Sequence, residues 1–404
     1  MRVLKVIHGY PPYYMAGSEV YSYNLVNALK HHGDIDVTVF TRVENPFVKR
    51  YDTFEEEIEG VKVIRVNKPQ TNYRLQEVYL DDEMDDVFRD TLKRIKPEIV
   101  HFGHVSHLSS NLPIIAKEEF NLSIVYTLDD FWLKCPSGQL LHDEMTICSE
   151  MIKKRCMGCL RVKYKDCLTE GVYDDYMNHM ERMMASVDVF LSPSVFLRDF
   201  FVSNGIPEDR ISHSPYGFNK SRISYRKRRY DGESSIKFAF LGRIIPSKGV
   251  VHMIDAFKEA STANSTLDIF GDAGKFFRFL TADDTKVRFR GQYDNSEIDE
   301  ILDSIDVLIV PSIWYENSPL VIQEAFLAGI PVITADIGGM AELVQDGVDG
   351  FTYGVGNKEE LSGLISRIDK DPTLLNVLNP NPSSVRSIED DASSIIDLYG
   401  RLTQ

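Results

Sequence analysis

A segment in the second half of the chain reads Pro311-Ser312-Ile313-Trp314-Tyr315-Glu316-Asn317-Ser318-Pro319-Leu320-Val321-Ile322-Gln323-Glu324-Ala325. It follows the short apolar run 307–310, whose length and composition favour a buried strand. Proline is common in the first turn of a helix, because the N–H that it lacks would be unpaired there in any case. The segment therefore predicts a strand, a loop that carries Glu316 and a helix that starts near Pro319 and carries Glu324.

Short apolar runs alternate with helical patterns in both halves of the chain. Near-continuous apolar strands between helices are typical of a parallel sheet that is covered on both faces. In the first half the predicted strands are residues 3–7, 37–41, 61–66, 99–102 and 124–127. In the second half they are residues 237–241, 265–270, 286–290, 307–310 and 331–334. We therefore predict an α/β fold with two doubly wound, Rossmann-like domains that face a cleft.

The length of 404 residues fits two domains. We place the N-terminal domain at 1–216 and the C-terminal domain at 217–385. The tail, 386–404, has apolar residues at helical spacing and is expected to return to the first domain. The polar and basic segment 219–235 between the two halves is the predicted hinge.

The overall charge and hydropathy limit the possible partners. A net charge of −16 argues against a bulk electrostatic grip on nucleic acid. The sequence has no apolar run of the roughly 18 residues that a membrane span needs, and its first residues fit a buried strand better than a signal peptide. We therefore expect a cytoplasmic protein with no nucleic-acid partner.

The segment around Glu316 resembles the Glu-x7-Glu signature of the retaining glycosyltransferases of family 4, which have the GT-B fold. The resemblance continues in one register to Phe351, through Gly329-Ile330-Pro331-Val332-Ile333, Asp336-Ile337-Gly338-Gly339, Glu342-Leu343-Val344, Asp346-Gly347 and Gly350-Phe351. It implies that Glu316 contacts the transferred sugar and that Glu324 contacts the ribose of the donor. Taken without the resemblance, the same segment fits a capped helix with two solvated glutamates.

Backbone amides at the start of this helix are further candidates for donor binding. Free N–H groups at a helix N-terminus attract anions, and here they belong to Asn317, Ser318 and Leu320.

A second candidate site reads Phe240-Leu241-Gly242-Arg243-Ile244-Ile245-Pro246-Ser247-Lys248-Gly249. Cleavage of a sugar from a diphosphate leaves negative charge on the leaving group, which a metal ion or fixed cations must stabilise. An isolated Arg and Lys in a loop are usually solvated. At this position Arg243 and Lys248, with Gly242 at the strand end, resemble the diphosphate-binding pair of the family. The resemblance implies catalysis without Mg²⁺ and with no required cofactor.

Two segments of the first half complete the candidate site. Tyr14-Met15-Ala16-Gly17-Ser18-Glu19 resembles the Gly-Gly-Ser loop of the family, which makes Gly17 and Ser18 candidate donor contacts. Thr127-Leu128-Asp129-Asp130-Phe131-Trp132 resembles a Thr-Leu-His-Asp-aromatic-Trp stretch, which makes Asp130 a candidate catalytic residue and Asp129 a candidate donor contact. Asp129 stands where His is usual, and an ionised Asp only accepts hydrogen bonds, so the donor sugar stays open.

All five cysteines lie within residues 135–167, inside a predicted insertion at about 133–170. Cys156 and Cys159 have the spacing of a structural zinc knuckle, and Cys135 and Cys148 would complete four thiolates. Cys167 is a fifth, spare cysteine, and His142 is an alternative ligand. The insertion, with its Cys-Pro-x-Gly-Gln-Leu-Leu start, is similar to one in a subset of family 4. Reduced buried thiols and a redox or iron–sulfur site are the alternatives to structural zinc.

The resemblance implies a retaining hexosyltransferase that moves a sugar from a nucleotide-diphosphate-sugar to a glycan or lipid-linked acceptor, in the synthesis of a surface polysaccharide or glycolipid. It also implies that the N-terminal domain is the acceptor side and that the C-terminal domain binds the donor. The alternatives are a non-catalytic module that binds nucleotide sugars and a sugar-nucleotide epimerase on the same fold. Basic runs at 153–155 and 226–229 leave open a peripheral contact with the inner face of the membrane, although such runs are usually solvated.

Overall fold

The computed structural model describes residues 1–69, 74–142, 145–164, 169–260, 262, 264–274 and 285–404. The chain divides into two compact units. The first comprises Met1–Asp143, Cys148–Asn219 and Arg386–Gln404, and the second comprises Glu144–Ile147 and Lys220–Val385. Apart from the short stretch Glu144–Ile147, the chain leaves the first unit after Asn219 and returns to it at Arg386.

In the described residues the first unit contains an eight-stranded sheet in the order β3-β4-β2-β1-β5-β6-β7-β8. Its strands are β1 (Arg2–Val6), β2 (Asp36–Val43), β3 (Thr53–Ile58), β4 (Val61–Asn67), β5 (Ile99–Phe102), β6 (Ser123–Thr127), β7 (Val189–Ser192) and β8 (Ile211–His213). Only the β3–β4 pair is antiparallel within this sheet, and the other neighbours are parallel. Its helices up to the domain boundary are α1 (Gly17–His31), α2 (Gln76–Tyr79), α3 (Asp82–Ile95), α4 (Leu112–Glu118), α5 (Lys153–Lys163), α6 (Glu170–Ser186) and α7 (Val195–Ser203).

The second unit contains, in the ranges described, a six-stranded parallel sheet in the order β11-β10-β9-β12-β13-β14. Its strands are β9 (Lys237–Leu241), β10 (Thr266–Phe270), β11 (Val287–Gly291), β12 (Val307–Val310), β13 (Val332–Ala335) and β14 (Gly350–Tyr353). The helices are α8 (Val250–Glu259), α9 (Ile298–Asp303), α10 (Leu320–Ala328), α11 (Gly338–Leu343) and α12 (Lys358–Lys370). The α/β class with two parallel sheets is confirmed.

Every predicted strand is present, with ends that differ by at most two residues. The sequence analysis missed β3, β7, β8 and β14. β3 is an edge strand whose residues alternate between exposed and half-buried and include three consecutive glutamates, so it contains no apolar run. The other three are strands of three or four residues, which are too short to show a clear pattern.

The last helix, α13 (Ile388–Leu402), belongs to the first unit. The hydroxyl of Tyr21 on α1 donates to Asp391 Oδ2 at 2.9 Å, and the amide of Gly217 donates to the same oxygen at 3.1 Å. A Cβ on Gly217 would lie 2.6 Å from the Cβ of Asp391, so the close approach of the two segments requires glycine there.

The basic residues of the predicted hinge pack onto the second unit. Arg226 forms a two-pronged pair with Asp299 at 3.0 and 2.9 Å and also reaches Asp303 at 2.9 Å. Arg228 donates to the carbonyl of Leu302 at 2.8 Å. These two guanidinium groups are therefore engaged with α9, which makes them poor candidates for contact with anionic lipid.

Within the described residues, no helix combines the length and the apolar character that crossing a bilayer requires.

Candidate active site

In the second unit, Lys248 and Glu316 meet. Lys248 Nζ lies 2.5 Å from Glu316 Oε1, although the two residues come from different loops. The same oxygen accepts hydrogen bonds from the Ser312 hydroxyl at 2.7 Å and from Trp314 Nε1 at 2.9 Å. Glu316 is only 6% exposed. In this largely dry setting, the three donors compensate the charge of its carboxylate. Two of the four predicted catalytic residues are thus in direct contact.

The two loops are fastened to each other through the backbone. The amide of Ile313 donates to the carbonyl of Ser247 at 3.0 Å. Gly249, directly after Lys248, has φ +69°, and a Cβ there would lie 1.9 Å from the carbonyl oxygen of Pro311. Only glycine allows this approach, so the position of Lys248 relative to the Glu316 loop is set by the main chain.

The Glu316 loop is also held from the other side by α11. The amide of Gly339 donates to the carbonyl of Glu316 at 2.8 Å. A Cβ on Gly339 would lie 1.5 Å from the carbonyl oxygen of Asn317. The glycine pair 338–339, which is part of the resemblance to family 4, therefore packs against the Glu316 loop.

Arg243 lies in the exposed turn after β9, next to Gly242. Within the described residues its guanidinium forms no ion pair or side-chain hydrogen bond. Gly242 has φ +145°, and its carbonyl oxygen would be 1.8 Å from a Cβ on Gly271. The turn after β9 is thus packed closely against Gly271, which follows β10. It presents the Arg243 cation, which is available to an anionic ligand.

Glu324 lies in α10, which begins at Leu320, directly after Pro319 as predicted. Burial raises the pKa of Glu324 from 4.5 to about 7, against a smaller opposing effect of Arg222. Its carboxylate has no hydrogen-bond donor among the residues that the structure describes. A carboxylate in this state gains from any ligand that supplies hydroxyl donors.

Asn317 and Ser318, two of the three residues predicted to offer amides, are mostly buried in the loop before α10. The Ser318 hydroxyl accepts a hydrogen bond from Gln323 Nε2 at 3.2 Å. This contact fixes the loop to the first turn of the helix.

In the first unit, Gly17 and Ser18 are the first two residues of α1. The Ser18 hydroxyl donates to Glu19 Oε2 at 3.0 Å, and His8 Nε2 lies 3.1 Å from Glu19 Oε1. Burial alone would raise the pKa of Glu19, but hydrogen bonds from His8 and Ser18 and the charge on His8 outweigh it and lower the pKa to about 2. Glu19, the residue directly after the predicted donor contacts Gly17 and Ser18, is therefore negatively charged at neutral pH.

Asp130 is paired with His104. His104 Nε2 lies 3.1 Å from Asp130 Oδ2, and the amide of Trp132 donates to Asp130 Oδ1 at 2.8 Å. Burial disfavours the charged form of His104, but Asp130 outweighs it and raises the pKa of His104. His8 packs against His104 with ring centroids 4.9 Å apart, so the two imidazoles connect Glu19 to Asp130.

Asp129 points into a buried polar network. Its Oδ1 accepts a hydrogen bond from the hydroxyl of Tyr216 at 2.9 Å. Burial raises the pKa of Asp129, while the nearby charges of His104 and Lys5 oppose this. Lys5 is itself almost fully buried, and burial lowers its pKa to about 8. The structure thus gives Asp129 a supporting contact beneath the site, and its predicted contact with the donor stays a prediction.

His101 has a structural role. Its Nδ1 lies 2.5 Å from the Tyr399 hydroxyl and its Nε2 lies 2.7 Å from the Thr127 hydroxyl, in the core of the first unit.

The four predicted zinc ligands, Cys135, Cys148, Cys156 and Cys159, line one small cavity. Its volume of about 20 Å³ holds a single water-sized occupant. Four thiolates form a donor set that suits tetrahedral zinc. As the side chains stand, no group of three or more His, Cys, Asp or Glu within the described ranges is arranged to hold a metal ion, and Cys167 lies outside those ranges. The zinc site therefore stays a prediction.

We expect about one zinc ion per chain in protein purified without chelators, because four thiols around one small cavity favour a structural site. The double variant Cys156→Ser/Cys159→Ser should lose the metal and melt at a lower temperature. Elemental analysis of the purified chains measures this. The single variant Cys167→Ser is the control and should keep its zinc, and wild-type protein without zinc would contradict the prediction.

Sequence analysis did not identify the partners of the predicted residues. Ser312 and Trp314 were within the quoted segment, but their donation to Glu316 depends on the shape of the loop. His8 and Glu19 lie on either side of the Gly17 loop, and two titratable residues flanking a predicted ligand loop are a signal that could have identified them.

Two family models cover most of the chain. Residues 15–222 match the model described as Glycosyltransferase Family 4, and residues 222–382 match the model described as Glycosyl transferases group 1. The two matches meet at Arg222, close to the boundary between the two units.

Curated relatives are similar at modest identity. An uncharacterized 42.6 kDa protein in the cps region of Klebsiella pneumoniae is 25% identical over 365 residues, which are 85% of this chain and 87% of that protein. The UDP-Gal:alpha-D-GlcNAc-diphosphoundecaprenol alpha-1,3-galactosyltransferase of Escherichia coli is 29% identical over 156 residues, 37% of this chain and 40% of that protein. The second alignment therefore spans less than half of either chain.

Among solved structures, the sucrose-phosphate synthase of Thermosynechococcus elongatus aligns with a TM-score of 0.74 at 18% identity, over 99% of this chain and 98% of that one. At this level of identity the match concerns the fold alone.

Proposed function

The chain belongs to glycosyltransferase family 4, with the two Rossmann-like domains of the GT-B fold, and we propose that it is a retaining hexosyltransferase that needs no metal ion for catalysis. The observation that carries the proposal is the contact between Lys248 and Glu316, with Arg243 available in the neighbouring turn. A cation pair beside a buried carboxylate suits a diphosphate leaving group next to a sugar.

The proposed roles follow from the chemistry of the leaving group. Arg243 offers a planar fork and Lys248 a point charge to the diphosphate, and both become more effective as negative charge develops on it. Lys248 would then share its charge between the diphosphate and Glu316, which is left facing the hydroxyls of the transferred sugar. Glu324 would accept hydrogen bonds from the ribose. In the retaining reaction the acceptor hydroxyl attacks the sugar on the face that the diphosphate leaves, and a phosphate oxygen takes its proton.

For the substrates, we propose a nucleotide-diphosphate-hexose donor and a glycan or lipid-linked acceptor, in the synthesis of a surface polysaccharide. The printed names of the relatives support this class. The E. coli relative is named for a UDP-galactose donor and a diphosphoundecaprenol-linked acceptor, and the K. pneumoniae relative is named for a cps region.

Thermal melting with UDP, GDP, dTDP, ADP and CDP, each with and without Mg²⁺, tests the donor site. A nucleotide at about 100 times its dissociation constant stabilises the folded state by about 2.7 kcal/mol, a shift of several degrees. We expect one nucleotide to raise the melting temperature equally with Mg²⁺ and with EDTA. A rise that requires Mg²⁺ would contradict the metal-free site, and no rise with any nucleotide would contradict the donor site itself. A rise without any turnover of the matching nucleotide sugar would favour the binding-module alternative.

The raised pKa of Glu324 predicts a pH dependence of donor binding. If ribose hydroxyls donate to the carboxylate, the bound state favours its ionised form, so binding lowers its pKa. With a free-state pKa of about 7, affinity should rise about tenfold from pH 6 to pH 8 and level off above that. Calorimetry with the nucleotide sugar selected by the melting series measures this, because its diphosphate does not titrate in this range. Glu324→Gln should bind more weakly with a flat pH profile, and an equally steep profile in that variant would assign the titration to another group.

A further inference from the structure

The first unit contains a cavity of about 340 Å³ beside Asp130. This volume lies in the range of small-molecule sites. Its lining includes His104 and Asp130 and, from the cysteine-rich insertion, Ser137, Lys163 and Tyr164. None of these insertion residues has a role in the proposed contacts with the donor.

Lys163 is the last residue of α5 and brings a cation to this lining. Its Nζ lies 3.4 Å from the carbonyl oxygen of Ser137 and 5.7 Å from the ring centroid of Tyr164. In the described part of the chain no carboxylate lies within ion-pair distance of it. The side chain of Lys163 is exposed to solvent. Partial desolvation by its neighbours nevertheless lowers its pKa, while Cys135 and Asp130 act to raise it. An anion in the cavity would favour the charged form of Lys163.

The other titratable groups of the cavity leave this charge uncompensated. Asp130 is already paired with His104 at 3.1 Å, and the carboxylate raises the pKa of that imidazole. Burial lowers the pKa of His107 to about 3, so this imidazole carries no charge at neutral pH. Lys163 is therefore a cation of this lining that no described carboxylate within ion-pair distance offsets.

The cysteine cluster holds the segments that the insertion contributes to this lining. Cys159 lies on α5, one turn before Lys163, and its Sγ is 3.6 Å from the carbonyl oxygen of Leu141 and 3.7 Å from the hydroxyl of Ser137. Ser137 in turn provides the carbonyl that Lys163 contacts. The insertion thus forms a connected support for one cationic side chain at the edge of the cavity.

We propose that this cavity binds the sugar acceptor and that Lys163 selects an acceptor with an anionic group, either a phosphate on the sugar or a sugar carboxylate. Asp130, which also lines the cavity, accepts a hydrogen bond from a hydroxyl of the same sugar. The inference rests on the proposed transferase function, because the diphosphate and ribose of the donor are assigned to the second unit and leave this cavity to the second substrate.

Calorimetry on the full-length chain, with the donor site saturated by the nucleotide found in the melting series, tests the proposal. The probes are glucose 1-phosphate, glucuronic acid and neutral methyl glucoside. We expect one of the anionic probes to bind at least about tenfold more tightly than methyl glucoside, because a charge-assisted hydrogen bond is stronger than a neutral one. Tighter binding of glucose 1-phosphate identifies the anion as a sugar phosphate, and tighter binding of glucuronic acid identifies it as a sugar carboxylate.

Lys163→Met should remove this preference, a loss of about tenfold or more, and Lys163→Arg should keep most of it. Arg161→Met is the matched control, since it removes one exposed positive charge from the same helix, and it should leave the preference intact. Equal binding of charged and neutral probes, or equal losses in Lys163→Met and Arg161→Met, would overturn the proposal. Both results are independent of the melting shift with nucleotide. The absence of that shift would instead contradict the proposed function.

Discussion

Lys248→Ala is expected to lower kcat by about 100- to 1,000-fold, the usual cost of removing one group that stabilises developing negative charge. The fold should survive, because Glu316 keeps its donors Ser312 and Trp314. The measurement is the rate of nucleoside diphosphate release from the donor, together with a melting curve.

Lys258→Ala is the matched control for this prediction. Lys258 lies on the exposed side of α8, ten residues further along the chain, and its loss removes the same charge. The control should turn over at the wild-type rate. If Lys248→Ala also retained near-normal turnover, the assignment of Lys248 to the leaving group would be wrong.

Gly339→Ala is expected to destabilise the second unit by about 2 kcal/mol or more, because the new methyl group would overlap the carbonyl of Asn317 and force the Glu316 loop to move. Donor affinity should fall with stability, since the displaced loop carries Glu316. Denaturant unfolding and nucleotide titration measure the two effects.

Gly363→Ala provides the opposite case. Gly363 lies inside α12, and a Cβ there would meet no atom within 4 Å. Because alanine is the better helix former, this variant should gain about 0.5–1 kcal/mol and bind nucleotide normally. A similar small gain in Gly339→Ala would show that the loop is not held as described.

Apolar runs and turn residues made much of the fold predictable. Residues 99–102, 238–241 and 307–310 are buried in their sheets, so their largely apolar character marked them as strands. Pro319 marked the start of α10 because its ring suits the first turn of a helix. β3 could not be recognised in this way, because an edge strand with alternating exposure needs no apolar run.

The candidate site was predictable as a set of residues and not as a set of contacts. The sequence register pointed to Lys248 and Glu316 separately, but their contact depends on how closely Gly249 lets two loops approach. The pairings of Arg226 and Arg228 within the basic 226–229 run were not predicted, since their partners Asp299 and Leu302 are about seventy residues away along the chain. Separations of this size leave no local pattern in the sequence.

The stereochemistry of donor cleavage tests the central claim most directly. The measurement is proton NMR of the nucleotide sugar selected by the melting series, followed in EDTA with the wild-type chain, so that the first sugar released is observed before it mutarotates. A retaining enzyme without a catalytic metal predicts that an α-linked donor gives the α-anomer first, at a rate that Lys248→Ala lowers. Release of the β-anomer first, or cleavage only after Mg²⁺ is added, would contradict the account.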